Sequence, residues 1–170
     1  SARLQTLADV AREAGRKLCF AGRSLHKIVE ASQATGYLKN LPEMVDMEAV
    51  DAFPRNQVMV VATGGQGEAR AALARIAEGN HPVKLEEGDT VIFSSKQIPG
   101  NEMAIGHVMN QLARRNIIMV TEKQAHVHVS GHPGRSELAK LYEWVKPEIL
   151  VPVHGERRRR LQGRVRRRRT

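Results

Sequence analysis

Cysteine occurs only once in the 170 residues, as Cys19. No internal disulfide can form, so the fold must rest on packing, as expected in a reducing compartment. Cys19 itself, inside the apolar run KLCFA, reads as a small core residue. Also missing are a stretch of about 18 apolar residues, which a membrane helix needs, and a charged-then-apolar N-terminus of signal type. A soluble, cytoplasmic protein with no membrane partner is the expectation. No internal repeat is present. At this length the chain suits either one domain or a piece of a larger protein.

Acidic residues are absent from one segment in particular, the C-terminal RRRRLQGRVRRRRT at 157–170, which holds nine arginines. The formal charge of +9 comes from that block, because without those nine the chain has 18 basic against 18 acidic residues. An arginine block of this kind binds phosphates nonspecifically by releasing counterions. It also has the composition of a disordered end. Residues 1–156 therefore read as one neutral domain and 157–170 as an Arg-rich, disordered tail.

Within 1–156, helical periodicity alternates with short β-rich runs. ARLQTLADVAREAG carries Leu4, Leu7, Ala8 and Ala11 on one helical face, with Gly15 as the stop. The strand KLCFAG follows, then the helix SLHKIVEASQATGY, with Ser24 as its expected N-cap and Gly36 as its end. After a connector with a short helix come the strand QVMVVAT, the loop GGQGE and the helix ARAALARIAEG. TVIFS, SKQIPGNE, a helix to about Arg115 and NIIMVT repeat the order. HVHVS is a short strand or an ordered loop, HPGRSELAKLYEWVK a helix and PEILVPV a last strand. VMVVA, TVIF and ILVPV are apolar on both faces, as in central strands covered by helices. The expected fold is an α/β three-layer sandwich, with a mainly parallel sheet flanked by helices.

In such a sheet, ligands bind at the carboxyl ends of the strands. TGGQGE at 63–68 lies there, so the backbone N–H groups of Gly64, Gly65 and Gln66 can approach an anion. The loop lacks the G-x-G-x-x-G spacing of a dinucleotide site and the GK[ST] of a P-loop, and a tight turn without a ligand explains it equally well. SSKQIPGNE at 94–102 is a similar loop. Histidines give a sharper signal. If HVHVS is extended, His126, His128 and Ser130 project to one side while Val127 and Val129 point to the other, a grouping suited to a phosphate oxygen or a metal. His132 follows in a turn just before a helix, and His154 ends the last strand. A single histidine is more often solvated or satisfied in a core; four at adjacent strand ends suggest a shared site. His26, His81 and His107 have no such neighbours and read as structural. An H-x-H pair occurs in zinc sites, but no carboxylate motif and no H-x-H-x-D-H accompanies this one.

TGGQGEARAALARIA, GDTVIFSSKQIPGNE, HVHVSGHPG and LVPVHGE, with GRKLCFAGRS and the following GYL, resemble the β-CASP domain of the ribonuclease J family. The resemblance covers about residues 1–156. It implies the RNA-binding portion of a zinc-dependent ribonuclease that acts 5′-to-3′ and endonucleolytically in RNA processing and decay. In that family a metallo-β-lactamase domain supplies most ligands for two zinc ions, and the β-CASP domain closes over it to form an RNA channel. His132 then resembles the motif B histidine that assists at the scissile phosphate, and His154 the motif C histidine that completes the zinc coordination. His128 and Ser130, with Gly64, Gly65 and Gln66, resemble the pocket for a nucleotide phosphate, where RNA with a 5′-monophosphate end is seated. The implied chemistry is in-line attack of a metal-activated hydroxide on phosphorus. Implied partners are RNA, the lactamase domain and further copies of the whole enzyme in a homo-oligomer.

Two departures stand out. Gly65 occupies a position where family members usually carry serine, and the main zinc-binding motif is absent from this sequence. The isolated chain is accordingly expected to be inactive. Two alternatives stay open on the residues alone: a free-standing RNA- or nucleotide-phosphate-binding module, and a small hydrolase whose metal is held by His126, His128 and His154.

Overall fold

The computed structural model describes residues 2–129 and 131–149. They fall into two compact units, 1–129 and 130–170. The first is a mixed α/β structure with parallel strands flanked by helices. Its elements are α1 (Ala2–Glu13), β1 (Lys17–Ala21), α2 (Arg23–Ala34), β2 (Val58–Ala62), α3 (Ala72–Ala77), β3 (Thr90–Ile92), α4 (Glu102–Ala113) and β4 (Ile118–Val120). Two short 3-10 turns, Met47–Ala52 and Arg55–Gln57, form the connector. The described part of the second unit holds α5 (Arg135–Val145). Residues 147–149 form no strand, and the rest of PEILVPV and the arginine tail lie outside the described residues. No described helix is long and apolar enough to cross a membrane.

α1 forms as its spacing predicts, with Leu4, Ala8 and Ala11 buried against β1 and α2. Leu18, Cys19 and Phe20 of β1 are at most 1% exposed, as befits a strand covered on both faces. Cys19 is a core residue, and burial, reinforced by the charges of Asp46 and Glu48, pushes its thiol up to about 11, away from reactive thiolate chemistry. α2 starts earlier than Ser24. Gly22 is its N-cap, and a Cβ there would lie 2.6 Å from the Thr63 hydroxyl, so the ends of β1 and β2 approach too closely for any other residue.

β1 pairs in parallel with β2 from Lys17↔Val58 to Ala21↔Ala62, and β3 with β4 from Thr90↔Ile118 to Ile92↔Val120. The strands thus make two parallel pairs rather than one continuous sheet. Between β2 and β3 lies a cavity of about 1070 Å³, walled also by Leu4, Leu7 and Val10 of α1 and Ile76 of α3. Every residue of β2 is consequently only half-buried, although VMVVA is as apolar as β1. The second pair rests on α4, where Val108 and Leu112 pack against Phe93 and Ile117.

Two titratable groups tie this unit together. Partial burial pulls the Asp89 carboxyl upward, but hydrogen bonds from Arg55 (2.6 Å) and from the Glu86 N–H (2.8 Å), with the Arg55 and Arg115 charges, outweigh it and hold it below the usual range. Burial, with the charges of Arg75 and Lys84, lowers His81, against a smaller opposing pull from Glu48, and its Nδ1 accepts the Val83 N–H at 3.1 Å. Both depressed values favour the folded state at higher pH. The His81 contribution is complete above its unfolded value of about 6.5 and is lost as pH falls, and that of Asp89 is lost below about 3.9. Urea midpoints are expected to decline in two stages on acidification. His81→Asn should flatten the first stage and Asp89→Asn the second.

Candidate functional site

The carboxyl ends of β2 and β3 carry the two loops singled out by sequence, and side chains join them. Gly64 is buried and left-handed, with φ 114, so the chain turns sharply after β2. Ser95 Oγ donates to the Gly65 carbonyl at 2.9 Å. A Cβ on Gly65 would lie 2.6 Å from that same Oγ, so a serine at 65 requires Ser95 to turn away. The Ser95 hydroxyl fills the space that a larger residue 65 would need. Gln66 closes the connection. Its Nε2 donates to the Lys96 carbonyl at 2.8 Å, and its Oε1 accepts the Ile98 N–H at 3.3 Å. Removing two hydrogen bonds of this type costs about 1–2 kcal/mol. Gln66→Ala is expected to destabilise by that amount in urea titration and to speed amide exchange at Ile98, with little change elsewhere.

The anion-donor role expected of Gln66 meets a competitor. Its backbone N–H donates to Glu68 Oε2 at 3.1 Å. A carboxylate of the same chain therefore holds the position that a phosphate oxygen would take. Any anion reaching this N–H has to displace it.

Residues 126–129 form an irregular stretch and not a strand, with the Val127 N–H turned back onto Ala125 O at 2.8 Å. The side-to-side alternation expected for an extended HVHVS does not apply. His126 is exposed. His128 is half-buried and lies at the end of β3, with Nδ1 3.4 Å from Ser94 O. Arg3, in the first turn of α1, joins the same place. It donates from Nη1 to Ser94 O at 3.0 Å and from Nη2 to Val129 O at 3.5 Å, and Nη2 stands 3.4 Å from His128 Nδ1. Gly65 and Gln66 are thus bonded to the consecutive residues Ser95 and Lys96, and His128 Nδ1 lies close to the carbonyl of Ser94 just before them. Arg3 and the two serines are the site residues that sequence reasoning did not single out.

His132 is exposed, three residues before α5 in the second unit. Glu137 accepts the Gly134 N–H at 2.6 Å and so anchors the start of that helix. Ser130 and His154 lie outside the described residues. His81 is buried, whereas His26 and His107 are exposed. Among the described residues no three His, Cys, Asp or Glu side chains are grouped to hold a metal ion. By themselves these residues do not fit zinc.

A family model of the ribonuclease J β-CASP domain matches residues 1–112, and a model of a Zn-dependent metallo-hydrolase RNA specificity domain matches residues 117–166. Ribonuclease J of Sinorhizobium meliloti is 44% identical over 155 residues, covering 91% of this chain and 28% of that protein. Ribonuclease J of Mycolicibacterium smegmatis is 41% identical, covering 90% of this chain and 28% of the relative. Ribonuclease J2 of Bacillus subtilis is 36% identical, with 92% and 28% covered. The chain spans little more than a quarter of the length of these relatives.

Proposed function

The chain belongs to the ribonuclease J family, and from that premise we propose that it is the RNA-recognising β-CASP portion of a zinc-dependent ribonuclease working in the cytoplasm. The observation that supports this best is the joining of the glycine-rich loop, Ser94–Lys96 and His128 at the carboxyl ends of β2 and β3. In this reading Gly64, Gly65, Gln66 and His128 receive the 5′-monophosphate end of RNA, and Ser130 is assigned to bind the same phosphate. Polar groups at the end of β3 hold both sides of the pocket, so their positions are set before the ligand arrives and little ordering remains to be done on binding. Glu68 leaves the Gln66 N–H when a phosphate enters, exchanging one anionic acceptor for another. Seating of that end is the proposed basis for stepwise 5′-to-3′ removal, beside endonucleolytic cutting.

His132 is assigned to assist at the scissile phosphate and His154 to serve as one zinc ligand. The remaining ligands of the two-zinc site come from the metallo-β-lactamase domain of the whole, homo-oligomeric enzyme. In that arrangement residues 1–156 act as the recognition domain, and the arginines of 157–170 add nonspecific attraction for phosphates.

The test is zinc content and hydrolysis of a 5′-monophosphorylated RNA, measured on the purified chain with and without a separately expressed metallo-β-lactamase portion of a ribonuclease J. Neither tight zinc nor cleavage is expected from the chain alone, and both on combination. Stoichiometric zinc together with cleavage by the chain alone would overturn the assignment.

A further inference from the structure

We propose that Arg3 is a positioning residue that fixes the tautomer of His128, so that the neutral imidazole presents its Nε2–H as a donor to the terminal phosphate. The inference rests on reading this pocket as the phosphate site.

Arg3 Nη2 stands 3.4 Å from His128 Nδ1. A guanidinium has five donors, no acceptor and no accessible deprotonation, so a bond between these two nitrogens forms only if Nδ1 offers its lone pair. A neutral imidazole carries one proton, and an accepting Nδ1 places that proton on Nε2. The opposite tautomer has a partner as well, because Ser94 O stands 3.4 Å from the same Nδ1. One feature acts against it: a proton on Nδ1 would point toward a guanidinium that also presents protons, the same group that donates to Ser94 O at the shorter distance of 3.0 Å. With Arg3 in place, the Nδ1–H form sets donor against donor. Without it, Ser94 O becomes the natural acceptor and Nδ1–H the favoured form.

The consequence falls on Nε2, the nitrogen that these contacts leave unused. Phosphate oxygens are acceptors, so an Nε2–H attracts them and an Nε2 lone pair repels them. In neutral His128 the tautomer therefore decides whether the ring helps or hinders a 5′-phosphate.

The placement of Arg3 agrees with such a role. Its other donors go to the carbonyls of Ser94 and Val129, which belong to the two segments flanking the His128 ring. The guanidinium is thus held from both sides against the imidazole.

The test combines long-range 1H–15N spectra of the histidine rings of the full 170-residue chain, at mildly alkaline pH, with binding of paired RNA oligomers bearing 5′-phosphate or 5′-hydroxyl. The native chain should show His128 as the Nε2–H tautomer, and Arg3→Met should shift it toward Nδ1–H and cut the 5′-phosphate preference about tenfold. Arg3→Lys, which keeps one cationic donor, should give an intermediate result. His128→Gln supplies an amide donor that needs no tautomer, so adding Arg3→Met to it should cost no further preference. Nδ1–H in the native chain, an unchanged tautomer in both Arg3 variants, or an equal loss of preference in the His128→Gln background would overturn the proposal. A native chain that shows the expected tautomer but binds both oligomers alike would instead refute the phosphate site, with the Arg3–His128 coupling intact.

Discussion

Gly67→Ala is expected to lower the stability of the first unit by about 3 kcal/mol, enough to unfold a large share of a marginally stable domain. Two costs combine. Gly67 has φ 78, where an alanine is strained, and its Cβ would lie 2.5 Å from the Ala104 carbonyl carbon and 2.6 Å from the Ile105 nitrogen. Those are backbone atoms of α4 and cannot turn aside as a side chain would. Gly79 supplies the control, since it has the same φ of 78 with nothing within 4 Å of the place its methyl would take. Gly79→Ala should cost only about 1 kcal/mol, the backbone component alone. Denaturant titrations of both variants separate the components, and equal losses would show that the approach of the loop to α4 relaxes without penalty. The contact matters for function because Gln66, its neighbour, carries the clamp on Lys96 and Ile98.

Leu112→Ala should be at least as damaging, at about 3–5 kcal/mol, the cost of a fully buried leucine replaced where the surroundings cannot collapse. Leu112 is completely buried between α4 and the β3–β4 pair, beside Phe93 and Ile117. β3 and β4 are only three residues long and have few bonds of their own, so α4 is their main support. Ser94, Ser95 and Lys96 follow directly from β3. Loss of this packing should therefore appear both as a lower urea midpoint and as faster amide exchange through 93–98. A variant with native stability would show that the strand pair does not depend on the helix.

How much of this was legible in the sequence depends on the range of the interaction. α1, α2, β1 and β2 form within a few residues of where periodicity puts them, because one apolar face or one apolar run decides each. α3 is shorter than its pattern. Residues 69–71 are taken by a turn in which Ala71 N–H bonds Glu68 O, and the Leu73 N–H reaches back to Thr63 O. Such bonds leave no trace in hydrophobic spacing. The same holds for HVHV, whose alternation suggests a strand although Val127 folds back on Ala125. The glycine-rich loop and His128 could be found from position alone, at the ends of apolar runs. Arg3 could not, since it is 125 residues from His128 in sequence and its role depends on tertiary structure. The side chain of Gln66 escaped for the same reason, and only its backbone was foreseen as a participant.

The most direct test of the pocket is fluorescence anisotropy of two short RNAs, identical except for a 5′-phosphate or a 5′-hydroxyl, titrated with the chain at raised salt to suppress the arginine tail. The account predicts a preference of about tenfold or more for the phosphorylated strand, as for a site with charge-assisted hydrogen bonds, and its loss in His128→Ala. Equal affinity for the two strands, or a preference that His128→Ala leaves intact, would contradict it.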